Sequence, residues 1–208
     1  MVKSENKIPD LVFIYPENYS DEQIADDTYD IEASKLDLRI LKRGNAAING
    51  FEWIIPTAIG AYIFKPYFDS FLSEAGKDHY NLLKKTLAKL IKRGKIHKAK
   101  VISASQSADK LSLTYSQSFI ISIEVQTFNG RKIKLLFDDN LDLSDWQNAV
   151  EQFLEMLLEN YEAFPNDKLT SEIEKLKTKE YRIIYCIINP KTKALEFNDD
   201  KTMLAKNK

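Results

Sequence analysis

The stretch SFIISIEVQTFNGRKIKLLF, residues 118–137, restricts the possible folds of this chain more than any other segment. Apolar and polar side chains alternate on both sides of Asn129 and Gly130, which is the pattern of two strands that each bury one face. An Asn-Gly pair accepts the positive φ values of a type I′ turn, whose twist matches that of the strands it joins. The stretch therefore predicts an antiparallel hairpin.

Further strands are predicted before and after this hairpin. LVFIY at residues 11–15 is a short apolar run that ends at a proline, and KLDLRILKRG at residues 35–44 alternates until its glycine. KAKVISAS at residues 98–105 is a third strand, and residues 181–197 contain two more around a proline turn. The acidic segment between the first two strands is expected to be a loop or a weak helix.

Two segments show the apolar spacing of amphipathic helices. A basic helix is predicted at about residues 79–93, with leucines and isoleucine on one face and lysines on the other. An acidic helix is predicted at about residues 144–164, where Trp146, Phe153 and Leu157 share one face. Strands and helices together predict an α+β fold with a mainly antiparallel sheet.

Residues 52–71, EWIIPTAIGAYIFKPYFDSF, form the most apolar segment of the chain. The twelve residues from Trp53 to Phe64 carry no charge, and as a helix they would span about 18 Å, against about 30 Å of membrane hydrocarbon. A lone helix of this length cannot cross a bilayer. We expect a central apolar helix at about residues 51–72, kinked or divided into separate helices at Pro56 and Pro66. Three settings remain open for it: the core, a subunit or partner interface, and a membrane surface.

Charge is segregated along the chain although the net charge is only −1. An acidic block comes first, then a basic block at residues 77–100, then a second acidic block at residues 138–162. The basic block can bind phosphates or an anionic lipid surface. It can equally meet the acidic blocks of its own chain. The slightly acidic pI of about 6.2 makes nucleic acid the less favoured partner.

The candidate binding residues come from these two segments. Aromatic side chains of the apolar segment are the residue types that anchor interfaces, and they form the proposed partner or membrane interface: Trp53, Tyr62, Phe64, Tyr67, Phe68 and Phe71. The basic helix supplies a candidate basic surface: Lys84, Lys85, Lys89, Lys92 and Arg93.

No motif in the sequence indicates a catalytic or cofactor-binding function. The sequence contains no phosphate-binding loop, dinucleotide-binding, nucleophile-elbow or zinc-protease pattern, and its two histidines and one cysteine cannot form an ordinary zinc site. We therefore assign no catalytic residue, no cofactor and no metal ligand.

Cys186 lies in an apolar run and is interpreted as a buried residue of a protein in a reducing compartment. No secretory signal is recognised at the N-terminus, so a cytoplasmic location is expected.

The segment GAYIFKPYFDSFLSEAGKDHY, with the lysine-rich helix, the GRKIKLLF strand and the C-terminal NPKTKALEF hairpin, resembles a family of uncharacterised bacterial proteins. The resemblance covers roughly residues 46–197. It implies a bacterial cytoplasmic protein and carries no activity or catalytic residue.

We interpret residues 1–208 as a single domain with three parts. An acidic strand–loop–strand occupies residues 1–45, a helical insertion residues 46–94, and a sheet with helices residues 95–208. The favoured function is that of a non-catalytic interaction or accessory protein, which binds a protein partner or self-associates through the aromatic-rich helix. One alternative is an effector peripheral to the inner membrane. Another is an enzyme or nucleic-acid binder whose site forms only in three dimensions.

Overall fold

The computed structural model describes residues 7–43, 57–71, 76–96, 117–176, 183–199 and 202–203, with the backbone alone at residues 70–71, 76–77, 96 and 117–120. The elements follow one another as β1 (Leu11–Pro16), α1 (Asp21–Glu32), β2 (Leu38–Arg43), β3 (Ile59–Ile63), α2 (Lys65–Phe71), α3 (Gly76–Ile96), β4 (Gln117–Gln126), β5 (Lys132–Asp138), α4 (Leu143–Ala163), α5 (Lys168–Glu174), β6 (Ile183–Ile188) and β7 (Leu195–Asn198). The fold class is α+β. The strand predicted at residues 98–105 lies outside the described residues.

The described strands form one seven-stranded sheet in the order β2-β1-β3-β4-β5-β6-β7. The pairs β1–β2, β3–β4 and β5–β6 are parallel, whereas β1–β3, β4–β5 and β6–β7 are antiparallel. The expectation of a mainly antiparallel sheet is therefore wrong, because the sheet is mixed. Each parallel pair is joined by a segment that contains at least one helix, as a crossover connection requires.

The helices of the described chain pack on one face of this sheet. Inward side chains of the strands, such as Phe13, Ile123 and Leu135, belong to the same buried cluster as residues of all five helices. Those helical residues include Ile31, Tyr67, Leu87, Phe153 and Leu169. A smaller cluster on the opposite face contains Leu136, Tyr185 and Met203. The main core thus lies between the sheet and one helical layer.

The acidic N-terminal segment is helical rather than a loop. Ser20 caps α1 by accepting a bond from the Gln23 amide, and the Gln23 side chain accepts one from the Ser20 amide in return. This reciprocal cap satisfies amide groups that the first turn leaves without partners. Ile24 and Ile31 face the core. Asp21, Glu22 and Asp26 are exposed on the helix surface, whereas Asp27 is buried.

The central apolar helix predicted at about residues 51–72 is contradicted by the strand β3, which lies inside the sheet between β1 and β4. Ile59, Ala61 and Ile63 bury one face, and the other face is also largely covered. A strand covered on both faces shows no polar alternation, so its sequence resembles that of a buried helix. The helix α2 begins only at Lys65, with Pro66 in its first turn, where a missing amide hydrogen is tolerated. The segment 46–94 is therefore not wholly helical.

The predicted hairpin is confirmed by the antiparallel pairing of β4 with β5. Its turn is not type I′, because positive φ is found at Gly130, with φ of 84°, and not at Asn129. The Thr127 amide donates to Arg131 O at 2.9 Å, which leaves a loop of Phe128, Asn129 and Gly130. This geometry is a type I turn followed by a left-handed glycine.

The two predicted amphipathic helices fall within α3 and α4. Gly94, one residue beyond the predicted end of the basic helix, lies inside α3, and a Cβ atom there would come within 2.7 Å of Ile121 Cγ2 on β4. The glycine therefore allows a close approach of helix and sheet. In α4 the buried Trp146 donates from Nε1 to Asp138 O at 2.9 Å, which fastens the helix to the end of β5.

Candidate functional site

The aromatic residues predicted as interface anchors occupy different environments. Tyr67 and Phe68 are 0% and 1% exposed and belong to the core. Tyr67 Oη donates to His79 O at 3.1 Å, and Phe68 stacks on Tyr161 with 4.4 Å between ring centroids. Tyr62 and Phe64 are half-buried. Trp53 and the side chain of Phe71 lie outside the described residues. The described aromatic residues therefore do not form one exposed surface.

The predicted basic surface is largely paired with acids of the same chain. The ion pairs join Lys84 to Glu151 at 2.8 Å, Lys85 to Asp30 at 3.0 Å, Lys89 to Asp30 at 3.3 Å and Arg93 to Asp26 at 2.7 Å. Hydrogen bonds from Lys85 and Lys89 hold the pKa of Asp30 below its usual value. Lys92 is exposed. Most of these cations consequently fasten α3 to α1 and α4.

Arg93 also contacts a buried carboxylate between α1 and α3. Its Nε donates to Oδ1 of Asp27, whose side chain is fully buried. Burial raises the pKa of Asp27, and the hydrogen bond from Arg93 acts in the opposite direction. Burial and the charge of Asp27 raise the pKa of Tyr15. The cluster ties two helices and β1 together beneath the surface.

A second buried polar cluster crosses the middle of the sheet on the face opposite the helices. Neighbouring strands align Tyr62 with Glu124, Glu124 with Lys134, and Lys134 with Tyr185. Glu124, Lys134 and Tyr185 are 8%, 1% and 2% exposed. Burial lowers the pKa of Lys134 to about 8 and raises the pKa of Glu124. An amine of this kind is a potential nucleophile, but its burial denies a substrate direct access.

The edge strand β2 exposes large apolar side chains. Among the described strands it has a neighbour, β1, on one side only. All its residues except Leu38 are exposed, and Ile40 and Leu41 are 36% and 51% exposed. Large apolar side chains in the centre of an open strand favour pairing with another strand.

Basic residues surround these apolar side chains on β2. Arg39 donates to Lys7 O at 2.6 Å and lies 3.9 Å from Asp37, while Lys42 contacts Asp21 at 2.5 Å. Charged side chains on an edge strand discourage indiscriminate pairing. The strand therefore combines an apolar centre with charges that restrict its partners.

Two other kinds of site were tested on the described residues. Within these ranges, no three histidine, cysteine, aspartate or glutamate residues are grouped so as to hold a metal ion. No helix of the described chain is long and apolar enough to cross a membrane.

Comparison with known proteins gives no relative, since no family model, curated protein or solved structure matches the chain. The resemblance to a bacterial family therefore stays a prediction.

The sequence predicted the strand that the structure shows as β2, but it did not predict that this strand lies at the edge of the sheet. The available signal was its run of basic residues, which is characteristic of edge strands.

Proposed function

We propose that this protein is a non-catalytic interaction protein that binds by strand addition at the open edge of β2. The observation that carries the proposal is the exposure of Ile40 and Leu41 in the middle of this edge. An added strand gains main-chain hydrogen bonds along β2, and its side chains meet those of β2 on both faces of the sheet. The proposal keeps the function expected from the sequence but transfers the contact from the aromatic segment to β2.

The main-chain groups of β2 support this transfer. The Leu11 amide donates to Asp37 O, and the Glu17 amide donates to Arg43 O. Because bonded residues alternate in a parallel ladder, the odd-numbered residues of β2 direct their amide and carbonyl groups toward β1. The even-numbered residues Leu38, Ile40 and Lys42 direct theirs away from it. A partner strand would pair with these three residues.

The alternative of a peripheral membrane effector has weaker support. Lys85, Lys89 and Arg93 contact acids of α1, so anionic lipid would have to replace existing ion pairs. The same argument applies to a nucleic-acid partner. We place the function in a bacterial cytoplasm, in keeping with the family resemblance. Burial raises the pKa of the Cys186 thiol well above its ordinary value, which suits a cysteine that remains reduced.

Strand addition is tested with a peptide and two proline variants. The probe is a capped peptide that alternates valine and glutamate, because its acids complement Arg39 and Arg43. Saturating peptide should slow amide hydrogen exchange at Leu38, Ile40 and Lys42 in the parent protein, diluted until light scattering gives the mass of one chain. Ile40→Pro should abolish this protection while the fold persists, since the lost amide points away from β1.

Leu41→Pro is the matched control, because it removes an amide that points toward β1. This variant should destabilise the β1–β2 pairing even without peptide. Unchanged exchange on β2 at saturating peptide would refute strand addition at this edge. Equal effects of the two prolines on folding would refute the assignment of inward and outward residues.

A further inference from the structure

We propose that the strand accepted by β2 is β2 of a second copy, paired antiparallel with Ile40 opposite Ile40. This inference rests on the proposed function and adds the identity of the partner and the register. An antiparallel pair of identical strands has a two-fold axis, so the contact closes after two copies. The two sheets would then continue into each other across the dimer.

The hydrogen-bonding pattern limits the possible registers. In an antiparallel ladder, the residues that exchange amide–carbonyl bonds lie directly opposite each other. Only Leu38, Ile40 and Lys42 direct these groups toward the open edge, so an even-numbered residue must face an even-numbered one. The register centred on Ile40 pairs Leu38 with Lys42 of the second copy and uses all three residues in both chains. It forms about six bonds between the chains.

Side-chain charges select this register over its neighbours. With Ile40 at the centre, Asp37 lies opposite Arg43, and Leu41 lies opposite Arg39. Shifting the pairing one way places Arg39 opposite Arg39, and shifting it the other way places Arg39 opposite Arg43. Like charges directly opposite each other destabilise a strand pair, whereas opposite charges stabilise it. Of these three registers, only the centred one avoids both arginine contacts and gains two Asp37–Arg43 pairs.

The register is tested by disulfide formation between copies. Ile40→Cys places the two thiols on directly opposed residues, with Cα atoms about 5.5 Å apart, within disulfide range. In Leu41→Cys the two cysteines are diagonal neighbours, about 7 to 8 Å apart and beyond that range. Under mild oxidation we expect covalent dimer from Ile40→Cys and little from Leu41→Cys. The natural Cys186 is fully buried and does not contribute.

A charge-exchange series tests the same register without new thiols. Light scattering of the parent should approach twice the 24.0 kDa chain mass as concentration rises. Asp37→Arg should weaken association at least tenfold, and Arg43→Asp in the same chain should restore most of it. Circular dichroism of each variant checks that the fold persists.

The possible failures of the two proposals are distinct. A parent protein that keeps the mass of one chain at every concentration, with no disulfide from Ile40→Cys, would overturn the second-copy inference. Peptide-induced protection of β2 would still uphold strand addition in that case. A disulfide from Leu41→Cys but not from Ile40→Cys would overturn the register. Loss of both association and peptide protection would remove both proposals.

Discussion

The buried amine of Lys134 should make the protein more stable as the pH rises above neutrality. The side chain is 1% exposed, and burial lowers its pKa to about 8 from an ordinary value of 10.5. At pH values between these two, the unfolded chain holds a proton that the folded chain does not. The contribution of Lys134 to stability must therefore rise with pH in this window, whereas below about pH 8 both states are protonated and the folded state keeps the full burial cost. The buried Cys186 thiol, whose pKa is raised, acts in the opposite direction and is present equally in a variant that lacks only Lys134.

The magnitude follows from the two pKa values. The complete difference corresponds to roughly 3 kcal/mol, and about 2 kcal/mol of it should appear between about pH 7 and pH 9.5. The measurement should stop near pH 9.5. Above about pH 10 the tyrosines of the unfolded chain ionise, whereas burial raises the pKa of Tyr15, Tyr67 and Tyr161 in the folded chain. These groups lower the stability as the pH rises further.

Urea unfolding of the parent and of Lys134→Met, followed by circular dichroism, measures this effect. The variant lacks the titrating amine, so the parent should gain about 2 kcal/mol relative to it over the pH window. A difference that stays constant within about 0.5 kcal/mol would refute the argument.

Glu124→Gln provides a second test, because the charge of Glu124 raises the pKa of the neighbouring Lys134. Without this carboxylate the pKa of Lys134 should fall further, and the rise in stability should begin at a lower pH. Comparing Lys134→Met with its parent in this background also removes any titration of Glu124 from the result. A rise that begins at an unchanged or higher pH would contradict the coupling between the two groups.

Three further substitutions test the fold, each against a milder change, by urea unfolding. Gly130→Val should cost on the order of 1 kcal/mol or more because φ is 84° there, and Gly130→Asn should cost less; equal losses would contradict the left-handed assignment. Phe153→Ala should lower the free energy of unfolding by roughly 3 to 5 kcal/mol because the ring is fully buried, whereas Glu155→Ala, at an exposed position, should cost about 0.5 kcal/mol or less. A loss below about 1 kcal/mol for Phe153→Ala would place this ring outside the core. Asp27→Ala should cost roughly 1.5 to 3 kcal/mol by removing the charged hydrogen bond from Arg93 at a fully buried position. Asp26→Ala, at an exposed pair, should cost less than about 1 kcal/mol, and similar losses would mean that burial of Asp27 is unimportant.

The elements predicted most closely from sequence are those whose two faces carry side chains of different polarity. In α4, Trp146, Phe153 and Leu157 are buried while Glu155 is exposed, so the helical period is visible in the sequence. In the β4–β5 hairpin, Ile123 and Leu135 face the helices and alternate with Glu124 and Lys134 on the opposite face, which is also buried but polar at these positions. A periodic pattern of apolar and polar residues appears in the sequence when the two faces of an element lie in different environments. Where that contrast exists, the sequence predicts the element and its buried face.

The strand β3 lacks this contrast. Its residues Ile59–Ile63 lie between two strands, and most of them are buried whichever face they occupy. An apolar run of this length fits a buried strand and a buried helix equally well. The mixed sheet was missed for a related reason, since strand direction depends on the intervening connections rather than on the strand sequences. The edge position of β2 likewise depends on which strands lie beside it.

The segregation of charge along the chain follows from the order of the helices in their layer. The basic helix α3 contacts α1 on one side and α4 on the other. Lys85, Lys89 and Arg93 reach the acids of α1, while Lys84 reaches Glu151 of α4. The sequence order of acidic, basic and acidic blocks therefore becomes a spatial order in which each helix meets opposite charge. Because these cations contact acids of the same chain, we look for a partner at β2, where Ile40 and Leu41 are exposed and where only one edge is paired with another described strand.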